Sequence, residues 1–337
     1  MPLDRNAKRI VIAGASSLLG NEVKTVLEES RFAGWDFRLV DEELVAGTLT
    51  EASGEATLIQ KVEEDTFHGA RYAFLTGSAN FAKSCMEPAR EAGTTILDLS
   101  HGSLANPDAT PWFPKIEALT GKSIAKDAKV FSVFSAGGAA MASLALALRP
   151  AGLERMTGVM FQPVSEAGRA GIEELETQTS QLLSFQSVGE QVFGTQGAFN
   201  LLPRFGSESR EDLRARLLQI RAELSAAIGD ADEDAKIVLN LVHAPVFYGL
   251  TFSVCAELSA EKDLAALTEL CKQAGFALAD ASEPAPSNVS VAGESGPWLR
   301  VPEADAVRAG AWWFWGAADN LRLPAWNAVK LAEKIEG

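Results

Sequence analysis

Short apolar runs alternate with helically spaced segments through the first 150 residues. The runs lie at residues 8–14, 37–41, 72–77, 95–100 and 130–134. Continuous apolar runs of this length are typical of parallel strands, because both faces of a parallel sheet are covered. Segments 19–29 and about 81–92 have helical spacing. Strands that alternate with helices predict a doubly wound, Rossmann-like parallel sheet.

The pattern changes after Pro150. Predicted strands lie at 154–164, 237–244, 246–258 and 310–316, and predicted helices at 171–183, 209–228 and 261–273. This order predicts an α+β domain rich in antiparallel pairs. Segment 282–308 is rich in Pro, Gly, Ser and Glu, which indicates an excursion over the surface. We expect a final helix at 324–335 to pack on the first domain, which gives a Rossmann-like domain of 1–136 with 319–337 and a second domain of 137–318.

Charge and composition exclude several classes of partner. The chain has 337 residues and a net charge of −15, so phosphate backbones and anionic lipids would repel it. We expect no nucleic acid and no membrane as partners, and the N-terminus enters a predicted strand with no signal-peptide core. Cys85, Cys255 and Cys271 have no metal-ligand spacing and suit buried thiols in a cytoplasmic protein. His68, His101 and His243 are scattered, so we predict no metal.

A glycine loop separates the first strand from the first helix, where dinucleotide-binding loops lie. The candidate cofactor-binding residues are Gly14, Ala15, Ser16, Ser17, Leu18, Gly20 and Gly77, with Asn320 near the C-terminus. Glycines there let backbone approach a pyrophosphate at a helix N-terminus. Ser17 stands where a middle glycine is expected, and its Cβ would crowd a phosphate. The alternative is a tight turn kept for packing.

Three carboxylates follow the second strand, at Asp41, Glu42 and Glu43. Carboxylates at this position accept hydrogen bonds from a ribose 2′-hydroxyl and repel a 2′-phosphate. The sequence therefore favours NAD over NADP if a dinucleotide binds at all. A solvated acidic turn is the alternative interpretation.

Residues 134–150, FSAGGAAMASLALALRP, have the form of a catalytic strand-to-helix junction. Further motifs follow in order at 98–100, 162–165, 167–168, 171–175, 245–249 and 319–322. Together they resemble the aspartate-semialdehyde dehydrogenase family over nearly the whole chain. Segments 198–203, 244–249 and 327–334 resemble its Usg subgroup, whose members lack the active-site set.

The resemblance implies a site whose reactive residues are replaced. It places Ala139 at the nucleophile, and a thioester mechanism needs a sulfur there. It places His243 at the substrate arginine, Leu250 at the acid/base histidine and Leu104 at the phosphate-binding arginine. Gln162, which helps orient the acyl group in the family, is kept, although a buried structural amide is the plainer interpretation.

The sequence thus predicts a homodimeric, Usg-like member of this family without its catalytic activity. Helices 171–183 and 261–273 are expected to cover one face of the second domain's sheet, leaving the other face to a partner copy. The alternative is that segment 282–308 folds over that face within one chain. The cofactor is NAD or NADP, with NAD favoured, or none, and the small-molecule ligand is unknown. Two alternatives stay open. One is an NAD-dependent oxidoreductase without a covalent intermediate, and the other is the family's NADP-dependent interconversion of aspartyl phosphate and aspartate semialdehyde.

Overall fold

The computed structural model describes residues 8–43, 45–52, 55–125, 127–259 and 263–337. The chain forms two compact units, the first made of residues up to 117, 122–134 and 324–337, and the second of 118–121 and 135–323. The predicted boundaries at 136/137 and 318/319 stay predictions. The expected absence of a signal-peptide core at residues 1–7, and the start of the helix predicted from Glu261, lie outside the described residues.

The elements up to residue 134 build one large parallel sheet. They are β1 (Arg9–Ala13), α1 (Leu18–Glu28), β2 (Asp36–Asp41), β3 (Leu49–Ala52), β4 (Glu55–Leu58), β5 (Gln60–Lys61), β6 (Tyr72–Leu75), α2 (Ala79–Glu91), β7 (Thr95–Asp98), β8 (Thr110–Trp112), α3 (Ile116–Thr120) and β9 (Val130–Val133). The strand order is β5-β2-β1-β6-β7-β9-β8, with every pair parallel. Strands β3 and β4 form a separate antiparallel pair. The predicted Rossmann-like fold is confirmed.

The elements after residue 134 build a second, mixed sheet. They are α4 (Ala136–Leu148), β10 (Leu153–Gln162), α5 (Gly168–Leu183), α6 (Leu213–Ile228), α7 (Ala231–Ala235), β11 (Ile237–His243), β12 (Leu250–Leu258), α8 (Leu264–Gln273), β13 (Ala277–Ala279), β14 (Trp298–Arg300), β15 (Glu303–Ala304), β16 (Ala311–Ala318) and α9 (Arg322–Glu336). The strand order is β11-β10-β12-β16-β14-β13, and β15 pairs with β16. This confirms a second domain of mixed α and β structure.

The last helix, α9, returns to the first unit from Pro324 onward, as predicted. The Tyr72 hydroxyl lies 2.7 Å from the Glu336 carboxylate and donates to it, while the Trp112 indole donates to the Asn327 carbonyl at 3.2 Å. Burial and the Glu336 carboxylate raise the pKa of Tyr72, so the phenol keeps its proton. These two anchors hold the helix to strands β6 and β8.

One predicted strand boundary in the second sheet is wrong. The strand expected from Val246 begins at Leu250, because residues 246–247 instead accept backbone hydrogen bonds from Val164 and Ser165, just after β10. Strands β11 and β12 flank β10, with β11 parallel and β12 antiparallel to it.

Segment 282–308 is more than a surface excursion. It contributes β14, inserted between β13 and β16, and the short β15. Leu299 in β14 is fully buried. The glycine and proline residues around it hide this apolar position when the sequence pattern is analysed alone. At its own start, α6 is capped by Asp212, whose carboxylate accepts from the Arg214 amide, so the helix begins four residues after the predicted Ser209.

Gly14 closes β1 in a conformation that only glycine tolerates at that spot. Its φ is +89°, and a Cβ there would overlap the backbone nitrogen of Gly77. Gly47 has nearly the same φ, +88°, but no heavy atom lies within 4 Å of its would-be Cβ. A comparison of alanine substitutions at the two positions therefore distinguishes the cost of backbone strain from the cost of steric overlap.

We expect Gly14→Ala to lower the free energy of unfolding by about 3 kcal/mol or more, because strain adds to a clash with backbone that cannot move aside. Gly47→Ala should cost about 1 kcal/mol, the strain alone. Urea unfolding of both variants measures the difference. Equal losses would contradict the close approach of Gly14 and Gly77.

Candidate functional site

The amides of the glycine loop are paired within the first unit. Ser16 donates its N–H to the Asp41 carboxylate at 2.8 Å, and Ser17 donates its N–H to the Gly14 carbonyl at 3.0 Å. The Ser17 hydroxyl caps α1 by accepting from Gly20 at 2.8 Å. A pyrophosphate needs such N–H groups as donors. In this arrangement the Ser16 and Ser17 amides are not available to a pyrophosphate, so the loop would have to rearrange before these two donors could bind one.

Asp41 lies where the sequence places the ribose carboxylate, at the carboxyl end of β2. It is only 6% exposed, and besides Ser16 it accepts from the Glu42 amide at 2.8 Å. A solvated acidic turn therefore describes Glu42 and Glu43, which are exposed, but not Asp41. The structure brings Asp41 together with Ser16, and Gly77 together with Gly14.

Asn320 makes its hydrogen bonds within the second unit. It belongs to the second unit and is buried, and its side-chain oxygen accepts from the Gly249 amide at 3.0 Å. Its amide nitrogen donates to the Ser165 hydroxyl at 3.0 Å and the Glu166 carboxylate at 3.2 Å. Asn320 thus ties the end of β16 to the turn after β10.

The first turn of α4 contains Ala139, the residue that the sequence resemblance places at the nucleophile, and a buried carboxylate lies at the N-terminus of this helix. Ser135 caps the helix by accepting from the Gly138 amide at 3.1 Å. Glu223 from α6 is fully buried, and it accepts from the Ser135 hydroxyl at 2.6 Å and the Ser135 amide at 3.0 Å. A Cβ at residue 138 would overlap this carboxylate, which explains a glycine there. Ala139 follows, 4% exposed.

Sequence reasoning missed Glu223. The signal was available, because Glu223 shares the buried stripe of α6 with Ile220, Leu224 and Ala227, at spacings of three and four residues. A charge on such a stripe indicates a specific buried partner. Leu250, at the acid/base position, is buried near Gly137, with its Cδ2 3.4 Å from the place a Cβ would take there.

Gln162 and His243 end neighbouring strands, and residues 162 and 243 face each other in the β10–β11 register. The His243 ring packs between the rings of Phe193 and Phe205, at centroid distances of 5.3 and 5.4 Å. Its Nε2 lies 3.3 Å from the Gly197 carbonyl. Burial lowers the pKa of His243, so the ring is neutral and cannot replace a substrate arginine.

A polar cavity of about 330 Å³ opens beside Gln162. Its other walls come from the turn after β10, the segment before α6 and the first two turns of α6, and it is lined by Gln162, Glu166, Phe205, Arg210, Glu211, Asp212, Ala215, Arg216 and Gln219. We call it the Gln162 cavity. The Arg216 guanidinium contacts the Glu166 carboxylate and donates to the Gln219 side-chain oxygen at 2.9 Å. Burial lowers the pKa of Arg216, and the charge of nearby Glu223 opposes that shift.

The three thiols offer no replacement nucleophile. Burial raises the pKa of Cys85 to about 11 and that of Cys271 to about 12, and it also raises the pKa of Cys255. High pKa values keep these groups as unreactive thiols. Within the described ranges, no group of three or more His, Cys, Asp and Glu side chains is placed to hold a metal. No helix in the described part of the chain is both long and apolar enough to cross a bilayer.

The first unit thus contains a Rossmann-like parallel sheet, and the second contains a mixed sheet with helices. The family described as semialdehyde dehydrogenase, dimerisation domain, matches residues 144–323. The chain therefore belongs to the semialdehyde dehydrogenase family. The predicted resemblance to aspartate-semialdehyde dehydrogenases and their Usg subgroup is confirmed.

Two relatives represent the two branches that the sequence resembles. A USG-1 protein homologue from Azotobacter vinelandii is 29% identical over 335 residues, and an aspartate-semialdehyde dehydrogenase from Rickettsia bellii is 26% identical over 334 residues. Each alignment covers 97% of this chain and 97% of the relative.

Solved structures share the fold. Aspartate-semialdehyde dehydrogenase II from Vibrio cholerae has a TM-score of 0.83 at 24% identity, covering 96% of this chain and 97% of that one. The aspartate-semialdehyde dehydrogenase of Candida albicans, solved with NADP, has a TM-score of 0.67 at 13% identity, covering 97% and 99%.

The buried neutral state of His243 generates a pH prediction. Its folded pKa lies below the unfolded value of about 6.5, so the unfolded chain binds the extra proton first as pH falls. The stability associated with neutral His243 is therefore complete above about pH 6.5 and is lost as pH falls toward the folded pKa. Between about pH 6.5 and 5.5, the unsubstituted protein loses stability because its unfolded chain binds this proton. We expect this decrease in the free energy of unfolding to be smaller in His243→Gln by about 1 kcal/mol.

Chemical denaturation at the two pH values checks this, with His68→Gln as the matched control because His68 is exposed. An unchanged pH dependence in His243→Gln would show that the ring titrates normally in the folded protein.

Proposed function

We propose that this protein is a homodimeric, cytoplasmic member of its family that does not carry out the thioester reaction. One observation carries the proposal. The first turn of α4 presents a methyl group at Ala139, in a position that burial leaves 4% exposed. Thioester chemistry needs a thiolate that attacks the carbonyl carbon and a base that takes the thiol proton. Ala139 and Leu250 provide neither group.

Neighbouring side chains do not restore this chemistry. Ser135 provides a hydroxyl at the start of α4, but it donates its proton to Glu223 and its oxygen accepts from the Gly138 amide. A nucleophile at that site would have to give up the cap and leave a buried carboxylate short of a hydrogen bond, which costs about 1–3 kcal/mol. Gln162 alone can orient a carbonyl group but cannot attack it.

Purified protein should therefore show no phosphate-dependent oxidation of aspartate semialdehyde with NAD or NADP. Ala139→Cys should not restore turnover, because the new thiol still lacks a base at Leu250 and a substrate cation at His243. Reduced cofactor is measured by absorbance, with a mock purification as the background. Activity that follows the protein through repeated chromatography would contradict the proposal.

The homodimer is supported by an open face of the second sheet. Strand register aligns Val238, Thr157, Cys255 and Trp313 in one row across β11, β10, β12 and β16. Val238 is 58% exposed and Trp313 is 44% exposed. The next row ends at Trp315, which is 37% exposed. Segment 282–308 reaches the edge of this face, where the Trp313 indole donates to Asp305 at 2.9 Å and the Trp315 indole donates to the Pro286 carbonyl at 2.7 Å. Val238, Trp313 and Trp315 nevertheless remain exposed, and exposed apolar side chains gathered on one face indicate an interaction surface.

Helices cover the opposite face. Helices α4 and α6 pack on strands β10, β11 and β12, and α8 packs on the edge strand β13. This corrects the expectation for the helix at 171–183, whereas the helix expected at 261–273 corresponds to α8 and does pack on the sheet. The family description of residues 144–323 as a dimerisation domain supports a second copy of the chain as the occupant of the open face. Two-fold pairing buries the same patch on both copies.

Light scattering at low micromolar concentration should give twice the single-chain mass of 35.8 kDa. Trp313→Arg should shift the protein toward the single-chain mass, because a charge in the centre of an apolar interface must be desolvated without a partner. Leu218→Arg is the matched control, since Leu218 is 59% exposed on α6. A wild-type mass near that of one chain would exclude the dimer.

A second candidate function is an NAD-dependent oxidoreductase without a covalent intermediate. The observation that favours it is Asp41, held at the carboxyl end of β2 beside the glycine loop. When bound, the nicotinamide would supply hydride transfer. The loop would first have to release the Ser16 amide from Asp41, which argues for weak binding or none.

If a dinucleotide binds, calorimetry should show NAD binding at least fivefold more tightly than NADP, because each nearby carboxylate repels the 2′-phosphate by about 1 kcal/mol. Glu42→Gln should narrow the difference between the NAD and NADP affinities, and Glu22→Gln serves as a charge-matched control. Tighter binding of NADP would overturn the preference, while binding of neither would indicate that the loop is kept for packing.

A further inference from the structure

A second polar cavity lies at the amino end of β10, about 30 Å along that strand from the Gln162 cavity at its carboxyl end. Its volume is about 480 Å³. Four charged and two apolar side chains form most of its lining, namely Arg149, Asp230, Glu233, Lys236, Leu153 and Ile228. We call it the Arg149 cavity. It combines two cations and two carboxylates with an apolar floor.

The Arg149 guanidinium is only partly used by the protein. Its Nη2 atom donates to the Ile228 carbonyl at 3.3 Å, whereas its Nε atom lies 3.8 Å from the Glu233 carboxylate, which is too long for a hydrogen bond. Within the described ranges, Nε and Nη1 have no hydrogen-bond acceptor. Arg149 therefore keeps free donors for a carboxylate, the group with which a guanidinium forms its strongest hydrogen bonds.

The two carboxylates of the lining keep free acceptor oxygens. Asp230 caps α7 with Oδ1 alone, which accepts from the Asp232 and Glu233 amides at 2.9 and 3.1 Å. Its Oδ2 atom accepts no hydrogen bond from the described residues. Glu233 accepts from Lys236 at 2.7 Å through Oε1, while Oε2 makes only the long contact with Arg149. These free oxygens can accept from an ammonium group.

Helix α6 adds to the attraction for a cation. It ends at Ile228, and Asp230 follows two residues later. The carboxyl end of a helix carries partial negative charge, which favours a cation near this side of the cavity. The ammonium group of a ligand therefore belongs beside Asp230, and the carboxylate beside Arg149.

The charges of the lining balance one another, and this limits the ligand. Two side chains are positive and two are negative, so a plain anion would be repelled by the carboxylates and a plain cation by Arg149 and Lys236. A zwitterion adds no net charge and satisfies the free donors and the free acceptors together. The recognised feature is thus a carboxylate and an ammonium group on one small molecule.

We propose that the Arg149 cavity binds a free α-amino acid. Its carboxylate accepts from Arg149, and its ammonium group donates to Asp230 and Glu233. Leu153 and Ile228, at 4% and 5% exposed, lie under the side chain of the ligand. The site is independent of the proposed function, because no lining residue belongs to the start of α4 or to the open face of the second sheet.

The test is titration of the full-length protein with L-alanine, followed by calorimetry or ligand-observed NMR. L-alanine should bind saturably with a Kd of about 1 mM or tighter. Propionate and ethylamine each keep one of the two charges, so each should bind at least about tenfold more weakly. The absence of saturable L-alanine binding would overturn the inference, as would binding of either analogue as tightly as L-alanine.

Asp230→Asn is the decisive variant, because asparagine still caps a helix while the negative charge is removed. It should weaken L-alanine binding about tenfold. Asp232→Asn is the matched control, since Asp232 is exposed on α7 outside the lining, and it should leave binding within about twofold. Thermal unfolding of both variants checks the cap. Equal effects of the two substitutions on binding would contradict the role given to Asp230.

Arg149→Gln tests the carboxylate end of the ligand and should also weaken L-alanine binding about tenfold. Arg169→Gln, at an exposed arginine on α5 outside the lining, should leave binding unchanged. Equal affinities of the two arginine variants would place the ligand elsewhere and overturn the inference. Because the measurements need neither turnover nor a particular oligomeric state, failure here would leave the proposed inactivity and dimer intact.

Discussion

The second unit depends on one buried carboxylate. Glu223 is fully buried, and it is stabilised by two hydrogen bonds from Ser135 at the start of α4. A buried charge without such partners would be strongly destabilising, so the Ser135 cap and the glycine at 138 are both required by this carboxylate. The same contact fixes α6 against α4, and α6 in turn carries Arg216 and Gln219 to the Gln162 cavity.

This arrangement separates the architecture of the family from its chemistry. In an active junction, a helix N-terminus provides positive potential that favours a thiolate. Here the negative charge of Glu223 sits against the first turn of α4 and offsets that potential. Ala139 and Leu250 are buried apolar residues, and His243 joins an aromatic cluster with Phe193 and Phe205. Under the proposed function, packing takes the place of catalysis at these positions.

The sequence was sufficient where one strong physical signal dominated. Continuous apolar runs predicted the parallel sheet, and the helical spacing of the last residues predicted α9. It was insufficient where tertiary context decided. Leu299 and Val291 are isolated buried residues in a segment whose composition indicates a loop, and the partner of Glu223 lies 88 residues away. Local patterns cannot report contacts at that separation.

The residues of the candidate site also differ in how far the sequence alone could predict their surroundings. The glycine loop and Asp41 were placed correctly beside each other by their positions after adjacent strands. Asn320 was grouped with them, but it lies in the second unit because its amide satisfies the turn after β10. The polar lining of the Gln162 cavity escaped notice, since Arg210, Arg216 and Gln219 look like an ordinary solvated helix face in the sequence.

The most direct test of the account is the thiol pKa of Ala139→Cys. The ultraviolet absorbance of the thiolate is followed against pH as a difference from the unsubstituted chain, which subtracts the three native thiols. Burial and the Glu223 charge should raise the pKa of the new thiol above the ordinary value of about 8.5. A pKa of about 7 or lower would mean that the helix N-terminus still activates a nucleophile, and it would contradict the claim that the site has lost its chemistry.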